Sequence, residues 1–245
     1  MSLRPRIVAV VLFAATILTI TPLVAQQRGA QPPAAPAAAP PAAPPAMPPP
    51  LLFAEKWQQV PGARGVPTSP RRSNNQYWLA SQSAVTNANL EAKFYGTDAR
   101  NITVYEHEGR IDLWTGLTGS PVAVLLKDRR NFIDLTGLAR VRAIVRTGNL
   151  HSLHPIVRLA DGTLVAGSRV IDTDGQFLQV DVSFPNQRWF VVEAETLNVK
   201  AAAMSPDLAR VDEVGFVDLA PAGGHGNSGW ANISSIEVYA RGVPR

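Results

Sequence analysis

The residues of this chain that could do chemistry are four histidines, two closely spaced acid pairs and one Asp-x-Asp-Gly loop. His151-Ser152-Leu153-His154 has a metal-like spacing. That spacing makes a ligand set when both rings share a helix face, and this segment reads as a strand entry with no glutamate inside it. Asp172-Thr173-Asp174-Gly175 has the oxygen-rich core of a calcium loop. With Gly175 as the sixth position of such a loop, Asp181 is the twelfth, but the first falls on Val170, which cannot coordinate. The segment therefore reads as a tight turn, and Asp172 and Asp174 stay as candidates for a structural calcium, with no other cofactor expected.

The acids offer hydrolysis as a second chemistry. Glu106 and Glu108, like Glu193 and Glu195, are two residues apart in strand-like sequence. Such residues share one face of a strand about 7 Å apart, within the range of two glycosidase carboxylates. Alternating acids are equally ordinary on an exposed sheet. A nucleophile elbow is missing, since Gly226-Asn227-Ser228-Gly229 does not have the Gly-x-Ser-x-Gly pattern. With no cysteine in 245 residues, a thiolate nucleophile, a thiolate metal site and a disulfide are all excluded.

Binding has the better signature. Sugars lay their apolar C–H faces on flat rings while polar side chains fix their hydroxyls, so an exposed tryptophan beside Asn, Gln or Asp is the expected mark of a glycan site. Asn74-Asn75-Gln76-Tyr77-Trp78 is the richest such segment, and Gly223-Gly224-His225-Gly226-Asn227-Ser228-Gly229-Trp230 is the second. They nominate Tyr77, Trp78, His225, Asn227 and Trp230 as ligand-binding residues, whereas Trp57, Trp114 and Trp189 read as core.

The elements that must position these side chains are strands. Leu90, Ala92 and Phe94 alternate with Glu91, Lys93 and Tyr95, as a half-buried strand requires. Residues 102–105 and 111–114 flank Glu108-Gly109 as a hairpin, and 122–126 and 141–146 continue the pattern. Asp161-Gly162 joins 154–159 to 163–166, supplying the positive φ that a tight turn needs. Asp174-Gly175 stands between Val170-Ile171 and 177–182 as a second hairpin turn, and further strands read at 189–194, 214–219 and 233–239. About ten short strands with turn signals between them predict an all-β fold, a two-sheet antiparallel β-sandwich of jelly-roll type.

Three segments carry a resemblance. Residues 131–142 (NFIDLTGLARVR) are similar to a strand entry of galactose-binding-like jelly rolls, and 211–216 (VDEVGF) and 230–239 (WANISSIEVY) to the last two strands of such modules. That group includes many carbohydrate-binding modules, so the resemblance implies a jelly roll that binds glycans, often with a structural calcium. Residues 51–245 also resemble a set of secreted bacterial proteins of unassigned function.

The first fifty residues speak of location. Arg4 and Arg6 precede an apolar run from Ile7 to Ile20, then Pro22 and Leu23-Val24-Ala25. This is the order of a secretory signal, and the run falls short of the roughly 20 residues that cross a bilayer. We read residues 1–25 as a signal peptide and 26–50, rich in proline and alanine, as an extended disordered linker. Residues 51–245 are the sandwich domain. The chain is expected to be secreted or periplasmic, with no membrane span after cleavage. Its formal charge of +4 falls to +2 once Arg4 and Arg6 are removed, and its basic residues are scattered, so nucleic acid is not an expected partner. A non-catalytic module for glycan or cell-envelope material is the reading. The alternatives are a sandwich hydrolase using a carboxylate pair and a structural or assembly module.

Overall fold

The computed structural model describes residues 47–60, 77–107, 109–148, 151–203, 205–219 and 229–245. The expected signal peptide, most of the linker, Glu108, His225 and Asn227 lie outside the described residues.

Two antiparallel sheets form a sandwich, as the strand pattern predicts. The first sheet holds β1 (Leu51–Lys56), β2 (Tyr77–Leu79), β4 (Thr103–His107), β5 (Arg110–Trp114), β8 (Arg140–Gly148), β11 (Leu178–Ser183) and β15 (Trp230–Tyr239). Its order is β11-β8-β15-β5-β4-β2, with β1 beside β15. The second holds β3 (Leu90–Tyr95), β6 (Val122–Asp128), β7 (Asn131–Asp134), β9 (Leu153–Leu159), β10 (Leu164–Gly167), β12 (Trp189–Val192), β13 (Val199–Ala203), β14 (Val211–Asp218) and β16 (Arg241–Pro244). Its order is β13-β12-β10-β9-β14-β6-β3, with β7 bridging β14 and β16.

Period-2 alternation builds the core. Val104, Leu113, Val141, Ala143 and Val145 point inward from the first sheet and meet Val124, Leu126, Val157, Val214 and Phe216 of the second, all at most 2% exposed. The opposite parity of the second sheet buries a smaller cluster, in which Leu125, Ile156, Leu164 and Val217 pack with Leu197. Gly215 is required at its place in β14 because a Cβ there would run into the backbone of Val124 and Leu125.

Two sequence expectations need correction. Asp174-Gly175 does turn, with φ of 46° and 76°, but it does not join two paired strands. Ile171 makes only an isolated bridge to Leu153, while β11 pairs with β8. The turn is organised instead by Thr147. Its N–H donates to Thr173 Oγ1 at 2.8 Å, its hydroxyl donates to Asp172 Oδ1 at 3.1 Å, and its carbonyl accepts from Gly175 N–H at 2.7 Å. The strand expected at 189–194 ends at Val192, so Glu193 and Glu195 belong to the turn between β12 and β13 rather than to one strand face.

Candidate functional site

Adjacent residues on a strand face opposite ways, and this decides the fate of the nominated aromatics. Trp78 turns inward, 6% exposed, and joins the core with Trp57 and Trp189, so it offers no open ring. Tyr77 turns outward on the first sheet yet is only 2% exposed. Its ring stacks on Tyr105, centroids 4.6 Å apart, and tilts against Trp114 at 4.7 Å. Trp114, which the sequence assigns to the core, stands on the outer face because its neighbour Leu113 takes the inner one.

β15 extends this face. Trp114 lies opposite Asn232, and Asn232 lies opposite Arg146 of β8. Trp230, two residues from Asn232 on the same strand, lies opposite Gly148. The two indoles are thus diagonal neighbours, Cα atoms roughly 7 Å apart. Each ring is seated over a glycine: a Cβ on Gly116 would collide with the Trp114 indole, and one on Gly148 would come within 2.8 Å of Trp230 Cζ2. Both tryptophans, Tyr105, Arg110, Arg146 and Phe177 are half-buried, presenting part of their surfaces on this face. Polar groups lie among them: Asn232 and Ser234 are buried, and the Ser234 hydroxyl donates to Asp112. The Arg110 guanidinium sits 3.9 Å from the Phe177 ring centroid, and Arg146 is 5.5 Å from both Phe177 and Trp230.

The nominated acids are dispersed. Glu106 is exposed and accepts from the Gln59 amide. Glu193 accepts from Thr196 Oγ1 at 3.0 Å and pairs with Lys200 at 2.9 Å, and these hold its carboxyl below the usual range. Glu195 is exposed, and its carbonyl accepts from Thr97.

His151 Nδ1 lies 2.9 Å from Asp218 Oδ2, whereas His154 Nδ1 lies 3.3 Å from the Gly167 carbonyl, so the two rings serve different partners. Burial pushes the His154 imidazole below its ordinary value. Asp172 is exposed, and the Asp174 N–H and Thr147 hydroxyl lower its carboxyl. Among the described residues no group of three or more His, Asp and Glu is placed to hold a metal.

A concavity, about 450 Å³, opens on the outer side of the second sheet, lined by Lys93, Tyr95, Lys127, Arg158, the Asp161-Gly162 turn, Asp212 and Glu213. Its floor is Glu213, 2% exposed, which accepts from Tyr95 Oη at 2.7 Å, while Arg158 donates to the same Oη at 2.7 Å. Burial raises Glu213 above the usual carboxylate range, and burial with the neighbouring carboxylate pushes Tyr95 up to about 12. Asp212 goes the other way. Its burial is outweighed by hydrogen bonds from Arg245 and Lys127. Sequence reading missed these acids because they are consecutive, and only their different partners separate them.

No family model matches the sequence, and no curated protein matches it. Among solved structures, the chain is similar to the family 11 carbohydrate-binding module of a cellulosomal cellulase of Clostridium thermocellum. The likeness spans 76% of this chain and 95% of that one, at 10% identity and a TM-score of 0.38. It is also similar to a family 11 module from the same organism in complex with a β-1,3-1,4-mixed-linked tetrasaccharide, over 78% and 98% of the two chains, at 11% identity and a TM-score of 0.32. A third likeness is to an exo-β-agarase, of which it covers 25%, at 10% identity and a TM-score of 0.37.

Proposed function

We propose that this chain is an exported, non-catalytic module that binds glycan or cell-envelope material on the outer face of the first sheet. The observation that carries the reading is the diagonal pair Trp114 and Trp230, partly exposed on one face, each seated over a glycine, with Asn232 between them. Flat rings receive the C–H faces of a sugar, and Arg146 and Arg110 supply guanidinium groups for its hydroxyls. Secretory export rests on the first twenty-five residues, whose charge and hydropathy order is that of a cleaved signal.

Polysaccharide pull-down and glycan-array binding with the chain, compared with Trp114→Ala and Trp230→Ala, tests this. Retained polymer binding that both substitutions weaken supports the platform. Binding to no glycan, or binding unchanged in both variants, removes it.

A second reading, glycoside hydrolysis, draws support from the concavity of the second sheet, where Glu213 and Asp212 have proton affinities shifted apart, as a catalytic acid and its partner require. Release of reducing sugar from a glycan substrate, abolished by Glu213→Gln, would establish it in place of simple binding.

A further inference from the structure

We propose that the platform of the first sheet selects glycans bearing negative charge, with Arg110 and Arg146 as the residues that read it. The inference rests on the glycan-binding reading of that face and names its ligand class.

Several arginines of the domain are taken up by carboxylates. Arg142 donates to both carboxylate oxygens of Asp181 at 3.0 and 3.2 Å, with Arg140 beside the same acid. Arg129 pairs with Glu91, Arg245 with Asp212, and Arg158 faces Glu213. Arg110 and Arg146, in contrast, have no carboxylate partner within ion-pair distance among the described residues, and lie against the Phe177 ring. Arg146 Nε is moreover buried with no hydrogen-bond partner. A buried N–H left without an acceptor is costly, and it is satisfied at once by an oxyanion that reaches it.

The placement suits a ligand. Arg146 stands opposite Asn232, and its guanidinium approaches Trp230, so a sugar stacked on that indole brings a ring substituent toward the guanidinium fork. The ring of Phe177 lies beside both cations. Asp112, on the outer parity of β5, is buried and receives the Ser234 hydroxyl. A uronate carboxylate or a sulfate ester shares the required chemistry, a planar or tetrahedral oxyanion able to accept two N–H bonds from one guanidinium.

The test is binding of the chain to polygalacturonate, to a sulfated galactan and to a neutral galactan, each at low and moderate salt, with Arg110→Gln, Arg146→Gln and Arg146→Lys. Arg142→Gln is the control for general surface charge, and circular dichroism checks that each variant keeps its fold. The expected result is tighter binding to one or both charged polymers than to the neutral one, weakened tenfold or more by Arg146→Gln, partly restored in Arg146→Lys and changed less than twofold in Arg142→Gln. Whether the carboxylated or the sulfated polymer is preferred identifies the source of the anion. Equal affinity for charged and neutral polymers, or equal losses in Arg142→Gln and Arg146→Gln, overturns the charge selection. In that case loss of neutral-polymer binding in Trp114→Ala leaves the platform itself standing. Binding to none of the three polymers overturns both.

Discussion

The indole of Trp230 lies across Gly148 of the neighbouring strand, so closely that a methyl group there would stand 2.8 Å from Cζ2. The glycine is therefore part of the platform although it carries no side chain. Gly148→Ala should tilt the indole away and weaken glycan binding by about 1 kcal/mol, roughly fivefold in Kd. Calorimetric titration beside a thermal melt checks this, with little change in Tm expected because the displaced ring is half-buried.

Trp78 and Trp114 should separate stability from binding. Trp78→Ala removes a core ring and should cost about 3–5 kcal/mol of unfolding free energy. Trp114→Ala should instead cost about 2 kcal/mol of binding free energy, roughly thirtyfold in Kd, with a smaller loss of stability. Urea titration and glycan binding on both variants give the comparison, and the reverse order would mean that Trp114 serves packing alone.

Glu55 is fully buried and ties β1 to the turn at Thr86-Asn87. Its carboxylate accepts from Thr86 N–H at 2.7 Å, Thr86 Oγ1 at 2.8 Å and Asn87 N–H at 3.0 Å. Glu55→Ala leaves these donors without an acceptor and should destabilise the fold by about 2–4 kcal/mol. Hydrogen exchange should report faster opening of the Thr86 and Asn87 amides.

The buried Glu213 predicts a direction of pH dependence. Its folded pKa lies above its unfolded one, so between the two values the folded state holds the extra proton and stability falls as pH rises. Below the unfolded value the group contributes no such penalty, and above the folded value the penalty is complete. Glu213→Gln should flatten that part of the profile, measured by chemical denaturation from pH 4 to 8. His154, lowered by burial, acts oppositely, with stability rising as pH climbs through its folded value toward that of a free imidazole.

The sandwich was legible because alternation of apolar and polar residues is local: Leu90–Tyr95 and Arg140–Gly148 announce themselves within a few residues. Short strands such as β2 and β7 carry too few residues to show a period. The site was half legible. Alternation alone forbids Tyr77 and Trp78 from sharing a face, and the same rule groups Trp114 with Asp112 against Leu113. What no local pattern holds is that Trp114, Trp230, Arg146 and Phe177 share one face, because each comes from a different stretch of chain and only the pairing of β15 with β5 and β8, and of β11 with β8, unites them. Glu106 and Glu193 misled for the converse reason, since spacing in sequence does not say whether a strand continues.

The pairing of β1 with β15 joins Leu51 to Tyr239 across nearly the whole domain. Loop closure over such a separation must come before the contacts that reward it, so the final zipper is expected to be slow and the half-made sandwich to leave the inner side of β15 open to water. A nascent chain would keep that seam unfilled until its last strands emerge, which makes the order of synthesis, and any chaperone that shields the seam meanwhile, part of how this protein reaches its native state.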